Sequence, residues 1–138
     1  MPYLFDSDIV IDLLDGVPQI RIAVDSLMPG GAGLSIVTYM EVRHGILARG
    51  NSLAAQSALE AFIQAAPILP FSRTVADRCA ELRVGLQQQG RSVRRRALDL
   101  IVAAIALHYD FTLVTRNLAD YRDIPGLKVL IPEDRSET

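Results

Sequence analysis

The chain of 138 residues is 50% hydrophobic and 22% charged, the balance of an ordinary globular domain with room for a sizeable core. A formal net charge of −2 argues against a protein that holds nucleic acid by bulk electrostatics, and the single cysteine, Cys79, excludes an internal disulfide. The apolar run "LIVAAIAL" at 100–107 is too short to span a bilayer, and no basic-then-apolar leader precedes the first predicted strand; no membrane association and a cytoplasmic location are expected.

In chain order, "YLF" at 3–5 reads as a buried strand, after which Asp6, Asp8 and Asp12 follow in quick succession. A helix is expected over 7–15, ended by Gly16, and a second over 18–27, opened by Pro18 and stopped by "PGG". "GLSIV" at 33–37 is the second strand, and "TYMEVRHGILARG" a helix capped by Thr38 and stopped by Gly50. Residues 52–66 form a longer helix, and "ILPF" at 68–71 a short strand whose proline belongs at an edge or an end. Helices over 73–89 and 97–109 follow, then strands "FTLVT" (111–115) and "KVLI" (128–131). With no repeat or long linker, one domain is expected over 1–132, with a polar tail at 133–138. Short, continuously apolar strands alternating with helices predict a parallel sheet covered on both faces. Ligands of such sheets bind outside the carboxyl ends of the strands, where strand order reverses.

The acids fall at such places. Asp6 ends the first strand, Glu41 lies one turn into the helix after the second, and Asn117 and Asp120 follow "FTLVT". Asp99 projects from "RALDLIVAAIALHY", a helix apolar on nearly every side and therefore buried, where an unpaired carboxylate needs a cation or donors. Each acid also has a plain structural reading. Asp6 and Asp8 could accept backbone N–H groups at a helix start, and Asp12 could lie on a solvated face. Thr38 and Glu41 match a capping box, Asn117 could be an N-cap with Asp120 as its reciprocal partner, and Asp99 could pair with Arg95. Taken together, they place several carboxylates around one strand-end cleft, where they repel one another unless a cation is present. Oxygen ligands alone favour Mg²⁺ or Mn²⁺, which points to metal-assisted phosphodiester hydrolysis.

Outside the acids, Cys79 reads as a small buried hydrophobe, and His44 and His108 as helix-terminal or solvent-facing rather than metal ligands. Arg91, Arg94, Arg95 and Arg96 form a basic run without an acid, read equally as phosphate-binding or as a solvated loop.

Four blocks in order, "YLFDSDIVIDLL", "LSIVTYMEVRHG", "ALDLIVAAIAL" and "TLVTRNLADYRDIPGLKV", resemble the PIN-domain ribonucleases, and more narrowly the VapC toxins of toxin–antitoxin pairs. The resemblance runs from Tyr3 to Val129. It implies a three-layer α/β/α domain around a short, mainly parallel sheet of four to five strands, and Mg²⁺-dependent endonuclease action on RNA, with Mn²⁺ as a substitute. By the same resemblance Asp6, Glu41 and Asp99 are the catalytic acids and metal-site residues, Asp6 and Asp99 as direct ligands and Glu41 direct or through water. Asn117 stands where many relatives carry a fourth acid, a place Asp120 is close enough to fill. Ser35 and Thr38 fit the S-x-x-T-x-x-E block, and Asp8 and Thr115 are further supporting residues. Arg94, Arg95 and Arg96 are candidate RNA contacts. A VapB-type antitoxin and a homodimer are the implied partners, with Val10, Leu14, Ile46 and Leu47 as candidate contact residues, core burial being the plainer reading for most of them. The competing reading is a catalytically inactive PIN-like module that only binds protein or RNA. "FDSD" also imitates the start of haloacid-dehalogenase phosphohydrolases, but Lys128 lies inside the last strand and the late acidic pair is missing; a response-regulator receiver would need an Asp where "ILPFSR" offers none.

Overall fold

The computed structural model describes residues 2–132, and the polar tail expected at 133–138 lies outside the described residues. Five strands form one all-parallel sheet: β1 (Tyr3–Phe5), β2 (Ala32–Ser35), β3 (Ile68–Leu69), β4 (Thr112–Val114) and β5 (Val129–Leu130). Their order in space is β3-β2-β1-β4-β5. The chain moves outward from β1 through β2 to β3, then crosses back to place β4 on the other side of β1. Strand order therefore reverses between β1 and β4.

Period-2 alternation sends neighbouring residues of each strand to opposite faces. Leu4 and Leu113 enter a core beneath α5 (Arg73–Gln88) and α6 (Ala97–Tyr109), where Val75, Cys79, Leu86, Leu100 and Ile105 are buried. Phe5, Leu34 and Val114 enter a second core beneath α1 (Ser7–Leu14), α2 (Pro18–Leu27), α3 (Ile36–Ala48) and α4 (Leu53–Ala65). Two apolar cores on one sheet make three layers, as the alternating pattern predicts. Gly33 is needed on β2 because a Cβ there would stand 2.8 Å from the Phe111 ring and 3.3 Å from Leu69.

Several boundaries differ from expectation. The second strand stops at Ser35, two residues early, because Ser35 rather than Thr38 caps α3: its Oγ accepts the Thr38 N–H at 2.9 Å and donates to Thr38 Oγ1 at 3.0 Å. The capping box drawn from Thr38 to Glu41 is thus absent, and Glu41 is free of that duty. Pro70 confines β3 to two residues, since it has no N–H for the ladder. A short helix that the sequence reading missed, α7 (Leu118–Tyr121), follows β4. Of the candidate contact residues, Val10 and Ile46 take the core alternative, whereas Leu47 is exposed. His44 is solvent-facing, and His108 closes α6 with its ring edge-on to Tyr109. Among the described residues no helix is long and apolar enough to cross a membrane.

Candidate metal centre and active site

The reversal of strand order puts the end of β1 beside the end of β4. Asp6, the residue after β1, is the N-cap of α1 and only 5% exposed. Three donors fix it. The Ser7 N–H reaches Oδ1 at 2.9 Å, while the Thr115 hydroxyl at 2.9 Å and the Tyr121 hydroxyl at 3.1 Å both reach Oδ2. Thr115 Oγ1 in turn accepts the Asn117 N–H at 3.1 Å, so the segment after β4 is folded back onto the end of β1.

Asp99 lies in the first turn of α6 and is half-buried, its Oδ1 3.2 Å from the same Tyr121 hydroxyl. One phenol thus spans carboxylates from β1 and α6. It carries one proton and can donate to one of them at a time, so the second contact is satisfied when that carboxyl holds a proton of its own. Burial pushes Asp6 up to about 6, with the nearby Asp8 charge adding to it and the three hydrogen bonds opposing it. Burial raises Asp99 too, helped by the charge of Asp120 and opposed by Tyr121 and Arg96. Glu41, half-buried on α3, is raised by burial and by Asp99, with a hydrogen bond from Ser7 opposing. Burial and the two carboxylates hold the Tyr121 phenol far above its usual range, so it stays protonated.

Asp6, Glu41 and Asp99 are thus each held above the ordinary carboxylate range. The donor set is oxygen alone, which suits a hard divalent ion. Asp8 adds an acceptor: its Oδ2 takes the Arg116 N–H at 2.9 Å, while its Oδ1 is buried with no hydrogen-bond partner among the described residues. No three of His, Cys, Asp and Glu stand close enough among the described residues to enclose an ion. The residues fit an ion held by a carboxylate pair, Asp6 and Asp99, with Glu41 near enough for its pKa to feel Asp99.

Other expected residues take different places. Asp12 is not on a free face but pairs with the Arg116 guanidinium. Asn117 is exposed and makes no side-chain cap, so its expected reciprocal pairing with Asp120 is absent. Asp120 instead works at a distance, through its charge on Asp99 and through its backbone oxygen. Arg94 and Arg95 are exposed, and Arg95 does not pair with Asp99. Arg96 is committed internally: it grips both oxygens of Asp123 at 2.8 and 2.6 Å and the Asp120 carbonyl at 2.6 Å. That engagement removes it as a free RNA contact and holds Asp123 below the ordinary carboxylate range. Tyr121, Ser7 and Asp123 were missed in the sequence. The signal for Tyr121 was an aromatic in a polar turn, whose buried hydroxyl must find partners.

Known proteins share the family and the fold of this chain. Residues 3–126 match the PIN-domain family. The chain is 26% identical over 129 residues to "Ribonuclease VapC2" of Rickettsia felis, covering 92% of this chain and 95% of that protein. Among solved structures, a toxin–antitoxin complex from Klebsiella pneumoniae matches at 30% identity with a TM-score of 0.72, covering 96% of this chain and 98% of that one. The structure of VapBC2 from Rickettsia felis bound to a DNA fragment from its promoter matches at TM-score 0.84 and 24% identity, over 96% of this chain and 100% of that one. The expected α/β/α architecture is thus shared with these proteins. On the extent of the sequence match and the shared fold, the chain belongs to the PIN-domain family.

Proposed function

We propose that this chain is a Mg²⁺-dependent endoribonuclease, with Mn²⁺ as a substitute, acting in the cytoplasm as the toxin of a type II toxin–antitoxin pair. The observation that carries this reading is the pair Asp6 and Asp99, joined through Tyr121 where strand order reverses. Mg²⁺ is usually bound by one or two carboxylates, with waters and substrate phosphate oxygens completing its shell. Asp6 and Asp99 would hold it here. When bound, the ion polarises the phosphodiester and stabilises the leaving oxygen.

The chain's own groups supply the rest. Ser7 and Thr115 fix the direction of the Asp6 carboxylate. Glu41, made more basic by burial and not spent on a cap, is suited to take a proton from the attacking water. Asn117, exposed beyond β4, orients water without adding charge, while Asp120 supplies negative charge behind Asp99. Ser35 and Thr38 hold the start of the Glu41 helix. Arg94 and Arg95, ahead of the Asp99 helix, are the remaining candidates for RNA phosphates.

The partner we assign is a VapB-type antitoxin that restrains cleavage. Support comes from an apolar groove of about 370 Å³ between α1, α3 and α4, lined by Leu14, Val42, Ile46 and Ala58, with the Arg49–Asp15 ion pair at the groove. A homodimer and a single catalytic domain over 1–132 complete the proposal. The test is cleavage of total cellular RNA with Mg²⁺ or chelator, beside Asp99→Asn. Discrete Mg²⁺-dependent cuts that vanish in the variant support it. A wild-type protein that neither cuts nor binds Mn²⁺ would leave the inactive binding module instead.

A further inference from the structure

We propose that Tyr121 is a positioning residue for the divalent-ion site: its hydroxyl backs Asp6 and Asp99 from the protein interior and keeps the two carboxylates in register. The inference rests on the metal-site reading above.

The geometry is asymmetric. Tyr121 is 1% exposed and packed in the same core as α6, so its hydroxyl reaches both carboxylates from below. Asp99 is half-buried, and its Oδ2 accepts no side-chain hydrogen bond among the described residues. The phenol therefore leaves Asp99 Oδ2 for an ion, whereas both Asp6 oxygens already accept, Oδ1 from Ser7 and Oδ2 from Thr115 and Tyr121. Asp6 has two further donors, from Ser7 and Thr115, but Tyr121 is the only side-chain donor to Asp99 among the described residues. Asp6 would keep its direction without the phenol, and Asp99 would not.

A clamp holds the phenol in turn. Arg96 immediately precedes α6, and its carbonyl accepts the Leu100 N–H at 2.8 Å. Its guanidinium grips Asp123 and the Asp120 carbonyl, the residues on either side of the Tyr121 turn. The start of the Asp99 helix and the turn bearing the hydroxyl are thus tied together independently of the hydroxyl. Partners that orient metal ligands from behind typically change affinity by roughly 10- to 100-fold when removed.

The experiment is Mn²⁺ titration by calorimetry of wild type, Tyr121→Phe, Asp123→Asn and Asp99→Asn, with thermal unfolding of each metal-free protein. Tyr121→Phe keeps the ring and removes only the hydroxyl. Its Kd for Mn²⁺ is expected to weaken at least roughly 10-fold, with the unfolding midpoint of the metal-free protein nearly unchanged. Asp123→Asn should weaken binding in the same direction and add little to Tyr121→Phe. Unchanged affinity in Tyr121→Phe beside a wild type that binds would refute the positioning role alone. Tighter binding would make the phenol a competitor for the ligand oxygens and overturn the proposal as well. If wild type binds no Mn²⁺, the ion site itself falls, and this role for Tyr121 with it.

Discussion

Asp6 is held against its own charge, and the size of that opposition can be measured. Its carboxyl lies at about 6 in the folded protein against an ordinary 3.8, a difference of about 3 kcal/mol in favour of the protonated form. The folded state therefore binds this proton more tightly than the unfolded chain. By linkage, the stability it contributes is complete below pH 3.8 and is lost as pH rises through about 6. Asp6→Asn removes the charge and flattens this dependence. With metal chelated, urea unfolding followed by circular dichroism at about pH 4 and about pH 7 should show the variant gaining most of that ~3 kcal/mol on the wild type. Adding Mg²⁺ at the higher pH should then restore the wild type and leave the variant unmoved. Parallel stability curves for the two proteins across this range would refute the argument that burial of Asp6 dominates the site.

Three further outcomes follow from particular contacts. Arg96→Ala removes a two-pronged, largely buried ion pair and strands Asp123, so urea unfolding should show a loss of about 2–3 kcal/mol, whereas exposed Arg94→Ala should stay within about 0.5 kcal/mol. Ser35→Ala deletes the cap of α3 and one partner of buried Thr38, which should cost about 1–2 kcal/mol in thermal unfolding. Replacing Arg94 and Arg95 together with serine should weaken RNA cleavage and flatten its salt dependence while leaving Mn²⁺ affinity intact; unchanged cleavage across several salt concentrations would remove them from the RNA path.

The layers of the fold were legible because they depend on local pattern: "YLF", "FTLVT" and the apolar helix at 97–109 each announce burial by composition alone. Boundaries were less so. The sequence points to Thr38 as the cap of α3, and only the turn of the chain after β2 makes Ser35 the residue whose hydroxyl meets the N–H. The placement of Asp6 and Asp99 followed from strand ends and from an acid on an apolar helix. Tyr121 did not, because its neighbours are polar and its partners lie far away along the chain. Arg96 was misleading for the opposite reason: in sequence it is one of a run of three, and only folding pairs it with Asp123.

The contacts that complete the site span almost the whole chain: Asp6 meets Thr115 across 109 positions and Tyr121 across 115. Such distant pairings form late, because loop closure must precede any gain from them. A nascent polypeptide that has exposed β1 already carries Asp6, yet lacks the second carboxylate and the phenol that aligns it. This ordering delays assembly of the Asp6–Tyr121–Asp99 contacts until translation has passed Tyr121. The wiring of the sheet thus acts as a timer: the two acids can meet only once nearly the whole chain is available.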